Sequence, residues 1–327
     1  MPSRRHVLAC GAVAASSTVS SRLFAQSQPP NVTRIVCGFP PGSSADSLSR
    51  VLATKLATPT ATVVVDNRTG AGGRIAVENV KSSPPDGQSL LVTPDAIMML
   101  YPHVYRSLPY DPVKDFRAVT VLANVPLAFA VGPVVPAEVK TLNDFARWAK
   151  ANPGSASFGT SGAGTTLHFT GVMFARSAQF DLTHIPYRGA NLAAQDVAAG
   201  QLAACVAVLS DLLALAQGGK LRLLGISSPR RSRFVPEVAT FAEQGLKDLE
   251  WSTWYGLFAP ARTPEARIQQ LQQQANEGMR QPDVAEALGR FGMEPAGPQS
   301  LPFAALLQRD IDHWGAIVRQ VGYTATD

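Results

Sequence analysis

Cysteine is scarce in this chain, with three among 327 residues. Cys10 falls in the first 25 residues, so Cys37 and Cys205 are all that the rest of the chain holds. Both lie in apolar, strand-like runs far apart in sequence, and they read as buried free thiols that pack as small hydrophobes. A disulfide-stapled framework is thereby excluded. Charge is sparse as well. Charged residues make up 16% against 46% hydrophobic ones, which rules out a disordered tail or a coiled coil. The net charge of +5 carries little, because residues 1–25 hold Arg4, Arg5 and Arg22 and no acid. Without them 26 basic residues face 24 acidic ones, and no concentrated basic face is left for a nucleic acid. Beyond the N-terminal stretch, no apolar run reaches the roughly 18 residues that a membrane-spanning helix needs. Among the histidines beyond residue 25, namely His103, His168, His184 and His313, none pairs with another at helical ligand spacing, so no metal is expected.

What the first 25 residues do contain is an address. Ser3-Arg4-Arg5-His6-Val7-Leu8 is a twin-arginine pattern, a weakly apolar stretch runs from Val7 to Val19, and Leu23-Phe24-Ala25 ends on a small residue before Gln26. A charged start, an apolar middle and a small residue at the cut form an export signal. The expected mature protein begins near Gln26 in the periplasm.

After that, strands and helices alternate. Arg34–Phe39 is an apolar run ending in Pro40-Pro41-Gly42. Leu48, Val51, Leu52 and Leu56 then mark one face of a helix. A β-rich run (62–66), the Gly70–Gly73 loop, a helix over 74–81 and a strand over 89–93 continue the pattern, which predicts a mostly parallel sheet covered on both faces. A Pro- and Tyr-rich connection follows over 94–116. Two strands are expected next, Val119–Leu122 and Leu127–Val131. Then comes a helix opened by Thr141, with Asp144 placed to complete its capping box. After the strand Trp254–Ala259 only helices are expected, and they have no sheet of their own to cover. They most economically return to the first sheet. The expected architecture is α/β, a two-lobed molecule with two mostly parallel-core sheets, a hinge and a central cleft. Lobe 1 comprises 32–123 and 254–327, and lobe 2 comprises 124–253.

Catalytic patterns fail one by one. Gly159–Thr166 resembles a phosphate loop, but Thr165 stands where its lysine belongs. Ser161 lacks the second glycine of a nucleophile elbow, since Ala163 is there. His168 lies seven residues from Ser161 without an evident orienting carboxylate. No catalytic residue, metal or cofactor is therefore expected, and the rival reading, an exported hydrolase, has no nucleophile–base set to stand on. Three glycine-rich turns ahead of helices are left: Pro40–Ser44, Gly70–Gly73 and Thr160–Thr166. A helix start offers unpaired amides and a partial positive charge to an anion. The first and third turns carry no Lys or Arg, so they suit a carboxylate held by neutral dipoles. The amides of Gly42, Ser43, Gly162 and Gly164 and the hydroxyls of Ser44, Ser161, Thr165 and Thr166 are the expected donors, with Phe39 walling the cleft.

These residues carry a resemblance. Gly38–Gly42 with Asp46 and Arg50, Val65–Gly73, Pro85–Leu90, Leu108–Pro112, Gly159–Thr165 with His168, and Pro186–Gly189 with Asp196 resemble, in order, the Bug family of extracytoplasmic receptors of tripartite tricarboxylate transporters. The resemblance implies a periplasmic binding protein of the type II class. It further implies a small carboxylate ligand between the two loops and membrane permease subunits as partners, although such receptors also serve signalling. A monomer is expected. Pro41, His168, Arg188 and Gly189 join the expected ligand-binding set on the strength of these motifs. The chain departs from the family at Ala203 and Ala207, where acids are usual, and this favours a plain carboxylate over an amino acid. Arg74, where the family is commonly uncharged, reads as a solvated surface residue.

Overall fold

The computed structural model of the chain describes residues 31–297 and 301–324; the expected export signal lies outside them. β1 (Asn31–Cys37), α1 (Ser44–Leu56), β2 (Ala61–Asn67), α2 (Arg74–Lys81) and β3 (Ser89–Pro94) follow the expected alternation. β1 pairs in parallel with β2 on one side and β3 on the other. In such a sheet the helix starts gather at the carboxyl ends of the strands, where ligands bind. α1 forms because Leu48, Leu52 and Leu56 share one buried face, while Arg50 opposite them is exposed.

Two stretches differ from expectation. The connection after Pro94 contains two short helices, α3 (Asp95–Met99) and α4 (Tyr101–Val104). Ile97, Met98, Met99 and Leu100 are all buried, so no polar face gives the segment a helical period to read. The two strands expected between residues 119 and 131 are one, β4 (Phe116–Val131). Up to Pro126 it pairs antiparallel with β9 (Ser252–Pro260). From Leu127 it pairs antiparallel with β7 (Ala204–Val208) and β8 (Arg222–Ile226). Asn124 and Pro126 interrupt the apolar run near this change of partner, which makes one strand look like two.

β4 thus threads two sheets. The first runs β2-β1-β3-β9-β4, with β9 antiparallel to both of its neighbours. In the second, β5 (Ser157–Thr160) lies parallel to β6 (Thr183–Pro186) and β7. The helices of the second part are α5 (Leu142–Ala151), α6 (Thr166–Ser177), α7 (Ala190–Ala198) and α8 (Leu209–Gln217). α5 starts on the expected capping box, with Asp144 N donating to Thr141 Oγ1 and Thr141 N to Asp144 Oδ2, both at 3.0 Å. α9 (Glu265–Met279) and α10 (Pro282–Gly289) pack back on α1, and α11 (Phe303–Val321) packs on α3, α4 and β4. The chain then reaches further than expected: the Tyr323 ring meets the His168 ring at 5.0 Å, edge-on, at the start of α6. Cys37 in β1 and Cys205 in β7 are both buried and free.

Candidate functional site

The turn between β1 and α1 is held by Asp46. Its carboxylate accepts from Gly42 N at 2.9 Å, Arg50 Nε at 2.9 Å and Asn67 Nδ2 at 2.8 Å. Burial raises its pKa, but these donors outweigh burial and keep the carboxyl below its ordinary range. Asn67 also donates to Phe39 O, which ties the turn to the end of β2. Ser43 caps α1 through Asp46 N and gives its own amide to Pro40 O. Asp46 therefore shapes the turn.

The turn between β5 and α6 is just as tightly bonded. Thr165 Oγ1 donates to Gly162 O and caps His168 N, while Gly162 N donates to Thr160 Oγ1. His168 Nδ1 accepts from Gly164 N at 3.2 Å, and the ring lies 4.1 Å from that of His184. Burial lowers the His168 pKa to about 4, and burial with the His168 neighbour lowers that of His184 to about 3. His168 is thus a neutral acceptor beneath the loop, and among the described residues no serine bonds it. Gly164 has φ +73°, which favours glycine, and a Cβ there would also sit 2.6 Å from Val104 Cγ1 of α4.

Four expected donors, the amides of Gly42, Ser43, Gly162 and Gly164, are therefore already used within the protein. The unused amides lie one step further on. The first-turn amides of α1 (Ser44, Ala45), α6 (Thr166, Leu167) and α7 (Ala190, Asn191) have no intrahelical partner, and among the described residues none of them makes another hydrogen bond. All six residues line one cavity of about 80 Å³. Ser161 lines it as well. Phe39, Pro40, Gly72 and Tyr101 lead outward from this cavity to a wider mouth of about 740 Å³. Three helix starts converging on one small chamber make a neutral anion cradle.

Of the expected ligand residues, Phe39, Ser43, Ser44, Ser161, Thr165, Thr166 and Gly189 line the inner cavity, whereas Gly162 and the exposed Arg188 line only the mouth. Pro41, Gly42, Gly164 and His168 line neither. Arg74 stacks on the Tyr105 ring at 4.1 Å and donates to Ala71 O. Sequence reasoning missed Asp211. It sits in the first turn of α8, lines the inner cavity, and accepts a hydrogen bond from the Ser44 hydroxyl, which also bonds Ser210 at 2.7 Å. Ala203 and Ala207, where an acid was sought, are buried in the β7 region. Tyr255 and Thr253 of β9 also line the chamber.

The chain is similar to known proteins over most of its length. Residues 47–323 match the sequence profile of the tripartite tricarboxylate transporter family receptor. A protein of Pseudomonas sp. strain P51, encoded in a tcbD-tcbE intergenic region, is 34% identical over 96% of this chain and 94% of its own. The periplasmic binding protein BugD is 26% identical with a TM-score of 0.82, covering 91% of this chain and 100% of that one. MatC from Rhodopseudomonas palustris, solved with bound malate, is 27% identical (TM-score 0.80; 88% of this chain, 99% of that one). Rpa4515 from R. palustris, solved with adipate, is 26% identical (TM-score 0.84; 90% and 99%).

Proposed function

The chain belongs to the tripartite tricarboxylate transporter receptor family, the Bug receptors, and from that membership we propose that it is a periplasmic receptor that captures a small carboxylate and hands it to membrane permease subunits without chemical change. The observation that carries this reading is the set of six unused helix-start amides around one chamber. Each such amide bonded to a carboxylate oxygen is worth about 1.5–3 kcal/mol as a hydrogen bond to a charged group. Malate and adipate in two relatives support the ligand class. We place lobe 1 at 32–123 and 254–327 and lobe 2 at 124–253. β4 changes partner at Pro126 and Leu127, and with β9 it makes the two crossings that a hinge needs. Closing the lobes would exclude water and strengthen every dipole in the chamber.

Native mass spectrometry of the exported protein, purified without refolding, tests this. The expected result is a carboxylate of small mass released on denaturation and unchanged after prolonged incubation with fresh protein. Conversion of that compound to a product would contradict a receptor.

A further inference from the structure

The inner chamber is lined by two unlike kinds of group. One is the set of unused amides of α1, α6 and α7. The other is the carboxyl of Asp211, and among the described residues no lysine, arginine or histidine lines the chamber. Asp211 is an acid in a first helical turn, where its charge suits the helix dipole, but it is not a cap. Among the described residues no amide of α8 bonds it, and its one hydrogen-bond donor is the Ser44 hydroxyl from α1. A carboxylate in such a place lacks a counter-charge. Burial accordingly pushes its pKa up to about 6, opposed only by the Ser44 hydroxyl, with no cation contributing.

We propose that Asp211 is the specificity-determining residue of the chamber: it receives a hydrogen-bond donor, foremost an ammonium, borne next to the ligand carboxylate, and it excludes a second carboxylate from that position. This rests on the receptor reading above. A chamber of about 80 Å³ holds a head group and little more, so the rest of the ligand lies in the mouth. Ser44 brings the two kinds of group together, since its amide belongs to the anion cradle and its hydroxyl bonds Asp211. An amino-acid head group would place its carboxylate on the amides and its ammonium on Asp211, satisfying both without importing net charge. A geminal dicarboxylate would set like charges together in a poorly hydrated space, and repulsion of this kind creates selectivity as effectively as attraction does. The acid absent from Ala207 is thus supplied from position 211, and an amino acid replaces the plain carboxylate expected from the sequence.

The test is calorimetric titration of the exported protein and Asp211→Asn with two isosteric series. One is alanine, lactate, isobutyrate and methylmalonate. The other is norleucine, 2-hydroxyhexanoate, 2-methylhexanoate and butylmalonate, whose longer chain fills the mouth. Asparagine keeps an acceptor for Ser44; Asp211→Ser serves if that variant does not fold. The parent should prefer ammonium over hydroxyl over methyl over carboxylate, with at least about tenfold between first and last, and the variant should lose at least about tenfold of that ratio. The same order and ratio in both proteins, or a parent that prefers the dicarboxylate, overturns the role of Asp211 and leaves the receptor reading standing. If neither protein binds any member, the proposal falls, while the receptor reading stands or falls on the native mass spectrometry above.

Discussion

His168 shows how far a residue's place can lie from the role its motif suggests. It belongs to the family pattern, yet its ring supports the loop from below and keeps Gly164 N bonded. Its position in the helical run was legible from sequence. Its direction was not, because the helical period does not say which face of α6 meets the chamber and which meets Tyr323. The consequence is a pH dependence. With a folded pKa of about 4 against an ordinary value near 6.5, the unfolded chain binds the extra proton. The stability contribution is therefore complete above pH ~6.5 and is lost as pH falls toward 4. Asp211, raised to about 6, and Asp95, raised to about 7 by burial, act in the opposite sense and lose stability as pH rises through those values. His168→Asn preserves an acceptor for Gly164 and removes one titration. Between pH 7 and pH 5 this variant should lose about 2 kcal/mol less than the parent in urea unfolding. Equal losses would mean that His168 is not held neutral.

At the scale of elements, the parallel βαβ core, the capping box of α5 and the return of α9–α11 to the first sheet were all legible, because periodicity and cap residues act locally. α3 and α4 were not, since a segment buried on every side has no pattern. The unbroken β4 was hidden too: a strand that changes partner carries polar or proline residues in its middle, as Asn124 and Pro126 do here. The loop residues were half legible. Glycine and hydroxyl composition marked the two turns, but which amides remain free depends on Asp46, Thr160 and His168 consuming the nearer ones. Gly164 illustrates the difference. Its glycine is required because the β5–α6 turn packs on Val104 of α4, and no ligand need be invoked. Gly164→Ala should destabilise the fold by about 1–3 kcal/mol, through positive φ and the close contact. Val104→Ala should relieve part of that cost, giving a coupling of at least about 0.5 kcal/mol in a double-mutant cycle of denaturant unfolding. Strictly additive effects would show that the turn does not dock on α4.

At the scale of the whole molecule, contacts from distant parts of the chain meet around the chamber. Ser44 reaches Asp211 and Ser210, Val104 meets Gly164, and Tyr323 covers His168. In the proposed two-lobed arrangement these are the contacts that opening must break and a ligand must reward. The N-terminus of α6 is one of the three helix starts of the anion cradle, and its most selective probe is a proline at the first helical position. Thr165 before it is extended (φ −94°, ψ 163°), which a following proline accepts, and proline is favoured at that position. Thr166→Pro therefore deletes one donor amide while sparing the helix, and Thr166→Ala controls for the hydroxyl. The decisive measurement is the affinity of both variants, by calorimetry, for the carboxylate that the parent binds. The amide account predicts that Thr166→Pro binds at least about tenfold more weakly than Thr166→Ala, with both equally folded by circular dichroism. Equal affinities in the two variants would contradict it.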